Sequence, residues 1–238
     1  MLKEWSKLPE YMQSPEVREY YEILQKRKVG LALKRLFDIA AGLCILVLTF
    51  IPMAVIAVLI KLDTPGPVFY RQERVTTYGK KFRIHKFRTM VSNADKIGTA
   101  VTVGNDSRIT RVGAKLRDCR LDELPQLFDV LSGNMSFVGT RPEATKYVEQ
   151  YQPEYYATLL LPAGITSEAS IRYKDEAKLL DAADDVDRVY IEKVLPGKMK
   201  YNLESIRHFS FWGEIATMFR TVGAVMGKNY AEEENIPL

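Results

Sequence analysis

Apolar positions along this chain fall into three kinds of run. The first is continuous: IAAGLCILVLTFIPMAVIAVLI, Ile39 to Ile60, is 22 residues without a charge. At about 1.5 Å per residue, a helix of that length matches a hydrocarbon core of about 30 Å. The second kind is strand-like. VFYRQERV and KKFRIHKFRTM are rich in aromatic and β-branched residues and are joined at Tyr78-Gly79, which predicts a short β-hairpin. The third kind has helical spacing. Ser14-Pro15-Glu16 offers an N-cap serine, a first-position proline and a first-turn acid. The helix it starts, to about Lys28, either lies on a membrane surface or packs on the domain. Ala114 to Leu131 is helical in pattern with Pro125 inside it. Ala144 to Leu161, Glu176 to Val194 and an amphipathic Leu203 to Met226 complete the predicted helices. Val101 to Gly113, SGNMSFVGTRPE and PAGITSEASIRYK read as loops, and DTPGP as a turn.

The flanks of the apolar run set its expected topology. Lys26, Arg27, Lys28, Lys34 and Arg35 precede it; Lys61, Arg71, Arg74, Lys80 and Lys81 follow. Basic residues beside membrane segments prefer the cytoplasmic side, and a single crossing cannot satisfy two basic ends. Pro52 removes a backbone donor past the middle of the run and bends the helix. A helix that enters, turns near Pro52 and leaves by the same face satisfies both flanks; an ordinary kinked crossing is the alternative. The run starts too far in and is too long for a cleavable signal peptide. The expected fold class is α/β, mostly α. It comprises a re-entrant membrane helix-break-helix and a compact cytoplasmic domain with a short β-hairpin and amphipathic interfacial helices. The expected divisions are an N-terminal amphipathic helical segment at 1–33, the membrane helix at 34–62, the cytoplasmic domain at 63–226 and a tail at 227–238.

Composition adds less. With 238 residues, 47% hydrophobic, the chain can bury a sizeable core. A net charge of +4 is compatible with phosphate ligands or anionic lipid, but the basic residues are dispersed and carry no nucleic-acid-binding motif. Two cysteines, Cys44 and Cys119, make neither a disulfide framework nor a zinc pattern. Two histidines, His85 and His208, make histidine triads and multi-histidine metal sites poor candidates.

The candidate chemistry lies in RLDELPQLFDVLSGNMSFVGTRP, Arg120 to Pro142. Proline is tolerated only in the first turn or so of a helix. Pro125 therefore predicts a helix starting near Leu121, with Asp122 and Glu123 at its N-terminal end. Free N–H groups and the positive dipole end favour both carboxylate and phosphate there. Arg117, Arg120 and Arg141 add guanidinium forks suited to phosphate. An aspartate in that setting can be a nucleophile on phosphorus, with a divalent cation neutralising the oxygens. A helix start stabilised by its own acids and paired with surface arginines would carry the same pattern.

At these residues the sequence resembles the bacterial sugar transferases, the monotopic phosphoglycosyl transferases. KRLFDIAAGL, PGPVFYRQERV, GKKFRIHKFRTM, LRDCRLDELPQLFDVLSGNMSFVGTRPE and GIT occur in family order between about Leu33 and Met218. The resemblance implies transfer of a phospho-sugar from a UDP-sugar to undecaprenyl (polyprenol) phosphate. The products are a polyprenyl-diphosphate-sugar and UMP, at the cytoplasmic face of the bacterial inner membrane. It further implies Asp122 as the nucleophile forming a phosphosugar-aspartyl intermediate, Asp122 and Glu123 at a Mg²⁺ site with Mn²⁺ as the alternative ion, and Arg117 and Arg141 on phosphate. Arg88 in KFRTM is a weaker phosphate candidate, and Thr140 and Pro142 flank Arg141 in the substrate loop. Pro52 is the implied break of the re-entrant helix. A phospholipid membrane is an implied partner, nucleic acid is not, and a homodimer stays open. The chain departs from the family at Thr140, usually proline, at Ile51, often serine, and at Ser167, often glycine. Thr140 is expected to loosen the loop presenting Arg141, and Ser167 to alter sugar and uridine contacts. A non-catalytic membrane adaptor is the alternative function.

Overall fold

The computed structural model describes residues 2–94, 106–173, 185–227 and 230. The first part of the expected Val101–Gly113 loop, the first half of the expected Glu176–Val194 helix and most of the 227–238 tail lie outside the described residues.

Helix α1, Pro15–Lys26, begins where the sequence predicts, with Ser14 Oγ accepting from the Val17 N–H at 3.4 Å. Val17, Tyr20, Tyr21 and Leu24 are buried against a 3-10 segment, Pro153–Leu160, and against later helices. Helix α1 thus packs its apolar face on the domain.

Helix α2, Lys28–Asp63, contains the apolar run and stays helical through Pro52. The expected break is therefore absent as a break in secondary structure; proline inside an apolar helix is tolerated when neighbours satisfy the freed carbonyl. Its buried positions, Lys34, Asp38, Gly42, Met53, Ile56 and Ile60, recur at helical spacing and form one stripe. The N-terminal half packs through Phe37, Ala41 and Ile45 on a cluster that includes Phe82, Val130 and Phe137. Met53, Ile56 and Ile60 pack on Phe87 and Leu116. Both halves thus rest on the same domain. Leu43, Val47, Leu48, Phe50, Ile51, Val55 and Val58 are exposed on the remaining surface, and only 17% of the most apolar window is buried inside the protein. An apolar surface of that extent belongs against lipid.

Three polar side chains of α2 anchor it from within. Lys34 Nζ donates to the Val138 carbonyl at 2.7 Å and to Glu214 at 2.5 Å. Asp38 Oδ1 accepts from the Phe137 N–H at 3.1 Å. The Arg35 guanidinium donates to the carbonyls of Val130 and Leu131. Lys34 and Arg35, counted above as flanking membrane charges, are tethers; Lys26, Arg27, Lys28 and Lys61 remain exposed.

The predicted hairpin is present as β1, Phe69–Val75, and β2, Lys81–Phe87, antiparallel with Gln72 opposite Ile84. Its turn needs positive φ at Tyr78 (58°) and Gly79 (74°). The expected Ala114–Leu131 helix is divided. Helix α3, Arg111–Asp118, ends before a 3-10 turn at Leu121–Glu123, and helix α4, Gln126–Ser132, follows with Pro125 at its N-cap. Two short strands occupy expected loops: β3, Met135–Val138, pairs in parallel with β4, Ala163–Thr166. Each has only four residues and β3 is buried throughout, so neither shows alternation. A Cβ on Gly164 would lie 2.2 Å from the Gly139 backbone, so glycine is required for this approach.

Helix α5, Thr145–Val148, and the 3-10 segment replace the single helix expected over 144–161. Then come helices α6, Glu168–Arg172, and α7, Val186–Val189, a π turn at Tyr190–Val194, and helix α8, Leu195–Arg207. Helix α9, Phe211–Val225, restarts after a break capped by Ser210, whose Oγ accepts from the Gly213 N–H at 3.0 Å. The predicted 203–226 helix is thus the end of α8, which is core, and α9. Helix α9 leaves Trp212, Phe219, Val222 and Val225 exposed.

Candidate active site

The acid pair sits where three elements meet. Arg120 adopts left-handed backbone (φ 55°), a conformation costing a non-glycine residue about 1 kcal/mol, and this turns the chain out of α3. Asp122 and Glu123 lie on the 3-10 turn just ahead of α4, not inside its first turn as expected. The hairpin is fixed against α4 by buried Asp129. Its two oxygens accept from the His85 N–H and pair with His85 Nδ1, both at 2.8 Å. That union presents the next residue, Lys86, to Glu123.

The carboxyls of the two neighbouring acids are shifted in opposite directions. Glu123 Oε1 accepts from Lys86 Nζ at 2.7 Å and from Arg141 Nη2 in a short ion pair. Burial alone would push the Glu123 carboxyl up, but the Arg141 and Lys86 charges outweigh it and hold it well below the usual carboxylate range. Asp122 has no hydrogen bond or ion pair among the described residues. Burial, and then the Glu123 charge beside it, push its carboxyl up, against the nearby charges of Lys86, Arg117 and Arg120. An unpaired, partly desolvated carboxylate next to a clamped one can act as a nucleophile while its neighbour stays ionised.

The other expected residues divide around this centre. Arg117 Nε donates to Thr89 Oγ1 at 2.9 Å, and its charge acts on Asp122. Arg141 reaches Glu123 and the Ile165 carbonyl. Thr140 does not interrupt its loop: its carbonyl accepts from Gly164 N–H at 2.9 Å and the Gly139 N–H donates to Thr166, so the β3–β4 ladder runs on to the residue before Arg141. Pro142, which follows it, is buried. Arg88 is elsewhere. It is 5% exposed and donates to the carbonyls of Thr64 at 2.7 Å and Pro65 at 2.6 Å, closing the C-terminal end of α2. Pro52 is remote from the acid pair in the sequence and takes no part in it. Ser167 N-caps α6 through the Ser170 N–H.

Lys86 was missed by the sequence reading. Its signal was register: in β2, Phe82 and Ile84 point inward, and Lys86 is the next residue on that face. Among the described residues no three His, Cys, Asp or Glu side chains converge as a metal cage. The acid pair fits the sparser pattern of Mg²⁺, which takes one or two protein carboxylates plus substrate phosphates. Asp122 is unpaired, and Glu123 Oε2 receives only a 3.4 Å contact from Arg141.

A profile of the bacterial sugar transferase family matches residues 29–228. The chain is 36% identical over 197 residues to the UDP-N-acetylgalactosamine-undecaprenyl-phosphate N-acetylgalactosaminephosphotransferase of Aeromonas hydrophila, covering 82% of this chain and 44% of that one. It is 39% identical over 199 residues to the UDP-glucose:undecaprenyl-phosphate glucose-1-phosphate transferase of Escherichia coli K12, covering 82% and 40%. A protein of the same name from Caulobacter vibrioides is 35% identical over 197 residues, covering 81% and 69%. The chain thus spans less than half the length of the first two relatives. By the match over residues 29–228 and these identities, the chain belongs to the bacterial sugar transferase family.

Proposed function

We propose that this chain is a phosphoglycosyl transferase that moves a phospho-sugar from a UDP-sugar to undecaprenyl phosphate through a covalent aspartyl intermediate. The observation that carries the reading is the division of the acid pair: Asp122 is unpaired, while Glu123 is clamped by Lys86 and Arg141. The names of the relatives support the donor and acceptor classes.

An oxygen of Asp122 attacks the sugar-bearing phosphorus. The bond from that phosphorus to the bridging oxygen breaks, and UMP leaves with the bridging oxygen and its electron pair. A phosphate oxygen of undecaprenyl phosphate then attacks the same phosphorus. The bond to Asp122 breaks and the carboxylate is restored, so neither step requires a proton transfer. Lys86, Arg117 and Arg141 supply the fixed positive charge that phosphoryl transfer needs. Mg²⁺, or Mn²⁺, would be held by Asp122 and Glu123, and when bound it neutralises phosphate oxygens as a Lewis acid. The test is UMP release from a panel of UDP-sugars, with and without undecaprenyl phosphate and Mg²⁺. A chain that served only as an adaptor would release none.

The exposed apolar faces of α2 and α9 support a membrane seat. Both halves of α2 pack on one domain, which supports entry and exit by the same face, a re-entrant seat on the cytoplasmic side of the inner membrane. Cysteines placed at Lys28 and Lys61, in a chain with Cys44 and Cys119 replaced by serine, are expected to resist an impermeant thiol reagent on intact cells and to react after lysis. Labelling of either one on intact cells establishes a full crossing.

A further inference from the structure

A cleft of about 240 Å³ adjoins the acid pair and shares Lys86 and Arg141 with it. Arg74, Gln126, Lys146 and Lys198 also line it. Most of its cations have acids of their own. Lys86 and Arg141 meet Glu123, Lys146 meets Asp187 at 2.6 Å, and Lys198 meets Glu143 at 3.3 Å. Arg74 has none. Half-buried on β1, its guanidinium donates to the neutral Gln72 Oε1 at 2.6 Å and makes no ion pair among the described residues; Glu143, which also lines the cleft and contacts Lys198, acts on it only through space. Gln126 supplies an independent sign. It is 1% exposed, and neither its amide oxygen nor its amide nitrogen has a partner. A buried amide with unmade hydrogen bonds and a guanidinium without a direct ion pair in one cleft call for a polar anion.

We propose that this cleft holds the uridine-side phosphate of the donor, with Arg74 as the guanidinium that receives the charge on UMP as it leaves; this rests on the phosphoglycosyl transferase reading above. The chemistry of the two donor halves decides the assignment. The sugar is uncharged at its ring, whereas the leaving phosphate gains charge as the bridging bond breaks, so the cation-lined side suits UMP. The acceptor's phosphate has another approach. Arg117 stands on α3, whose Leu116 packs against Ile56 and Ile60 of the membrane helix, so Arg117 belongs to the element nearest the lipid-facing helix.

The experiment is UMP binding by calorimetry to the full chain in lipid nanodiscs. Arg74→Gln is expected to weaken UMP affinity at least 10-fold, Arg74→Lys by less, and Asp122→Asn by under 3-fold. Lys146→Glu, at an exposed rim position, is the second variant should Arg74→Gln fold poorly, and is expected to weaken UMP about 5-fold. Wild-type affinity in both Arg74→Gln and Lys146→Glu overturns the proposal, as does an Arg74→Gln protein that loses undecaprenyl phosphate but keeps UMP. If Asp122→Asn abolishes turnover while Arg74→Gln and Lys146→Glu both bind UMP normally, only this inference falls. If the wild-type chain binds no UMP, the donor class falls with it.

Discussion

Asp122→Asn is expected to lower UMP release from a UDP-sugar by at least about 10³-fold, the scale of losing a covalent nucleophile. The side chain keeps its shape, and Asp122 holds no hydrogen bond or ion pair that the fold depends on among the described residues. The variant should therefore melt near the wild-type temperature and remain in the membrane fraction. A variant that retains more than about a tenth of the activity removes Asp122 from the nucleophile's role. The acid side of the wild-type pH profile supplies a second reading. Because burial and the Glu123 charge push the Asp122 carboxyl up, activity should fail on acidification at a pH above the ordinary aspartate value of about 3.9.

Glu123→Gln is expected to act on stability as well as rate. Its carboxylate side chain is 13% exposed and meets Lys86 and Arg141 together. Removing the charge leaves two partly buried cations facing each other, at about 3 kcal/mol, the low end for breaking a buried pair because Arg141 is partly solvated. For a chain of this size that is a melting temperature lower by about 6–12 °C. The pH dependence has a definite sign. Glu123 has a folded pKa depressed below its unfolded value of about 4.3, so its stabilisation is complete above that value and lost as pH falls through the folded pKa. The gap between wild type and Glu123→Gln should be widest near neutrality and close on acidification. Equal melting temperatures at pH 7 would contradict the clamp. Since the Glu123 charge is one cause of the raised Asp122 carboxyl, the variant's residual activity should also keep its acid limb at lower pH.

The hairpin, the start of α1 and the apolar helix were legible because each rests on local rules. Tyr78-Gly79 turns where positive φ is needed, Ser14 caps, and Ile39 to Ile60 has no charge. Strands β3 and β4 were not legible. They are short and buried, and the approach of Gly139 to Gly164 that joins them spans 25 residues of chain. The arginines were recognised as phosphate chemistry by type, but type does not say whom they face. Arg88 closes the end of α2 on three carbonyls while Arg141 reaches Glu123. Lys34 and Arg35 read as membrane-flanking charge and are internal tethers.

By itself the sequence determined that an apolar helix and an acid pair with arginines nearby coexist in one chain, because length, charge and a misplaced proline are local properties. Only the tertiary structure decided that Asp122 and Glu123 are unequal. That difference depends on Lys86 and Arg141, 36 and 19 residues from Asp122, arriving on one side of the turn. Coulombic and desolvation effects act over a few ångströms of space, so acids adjacent in the chain can be shifted in opposite directions by groups distant along it.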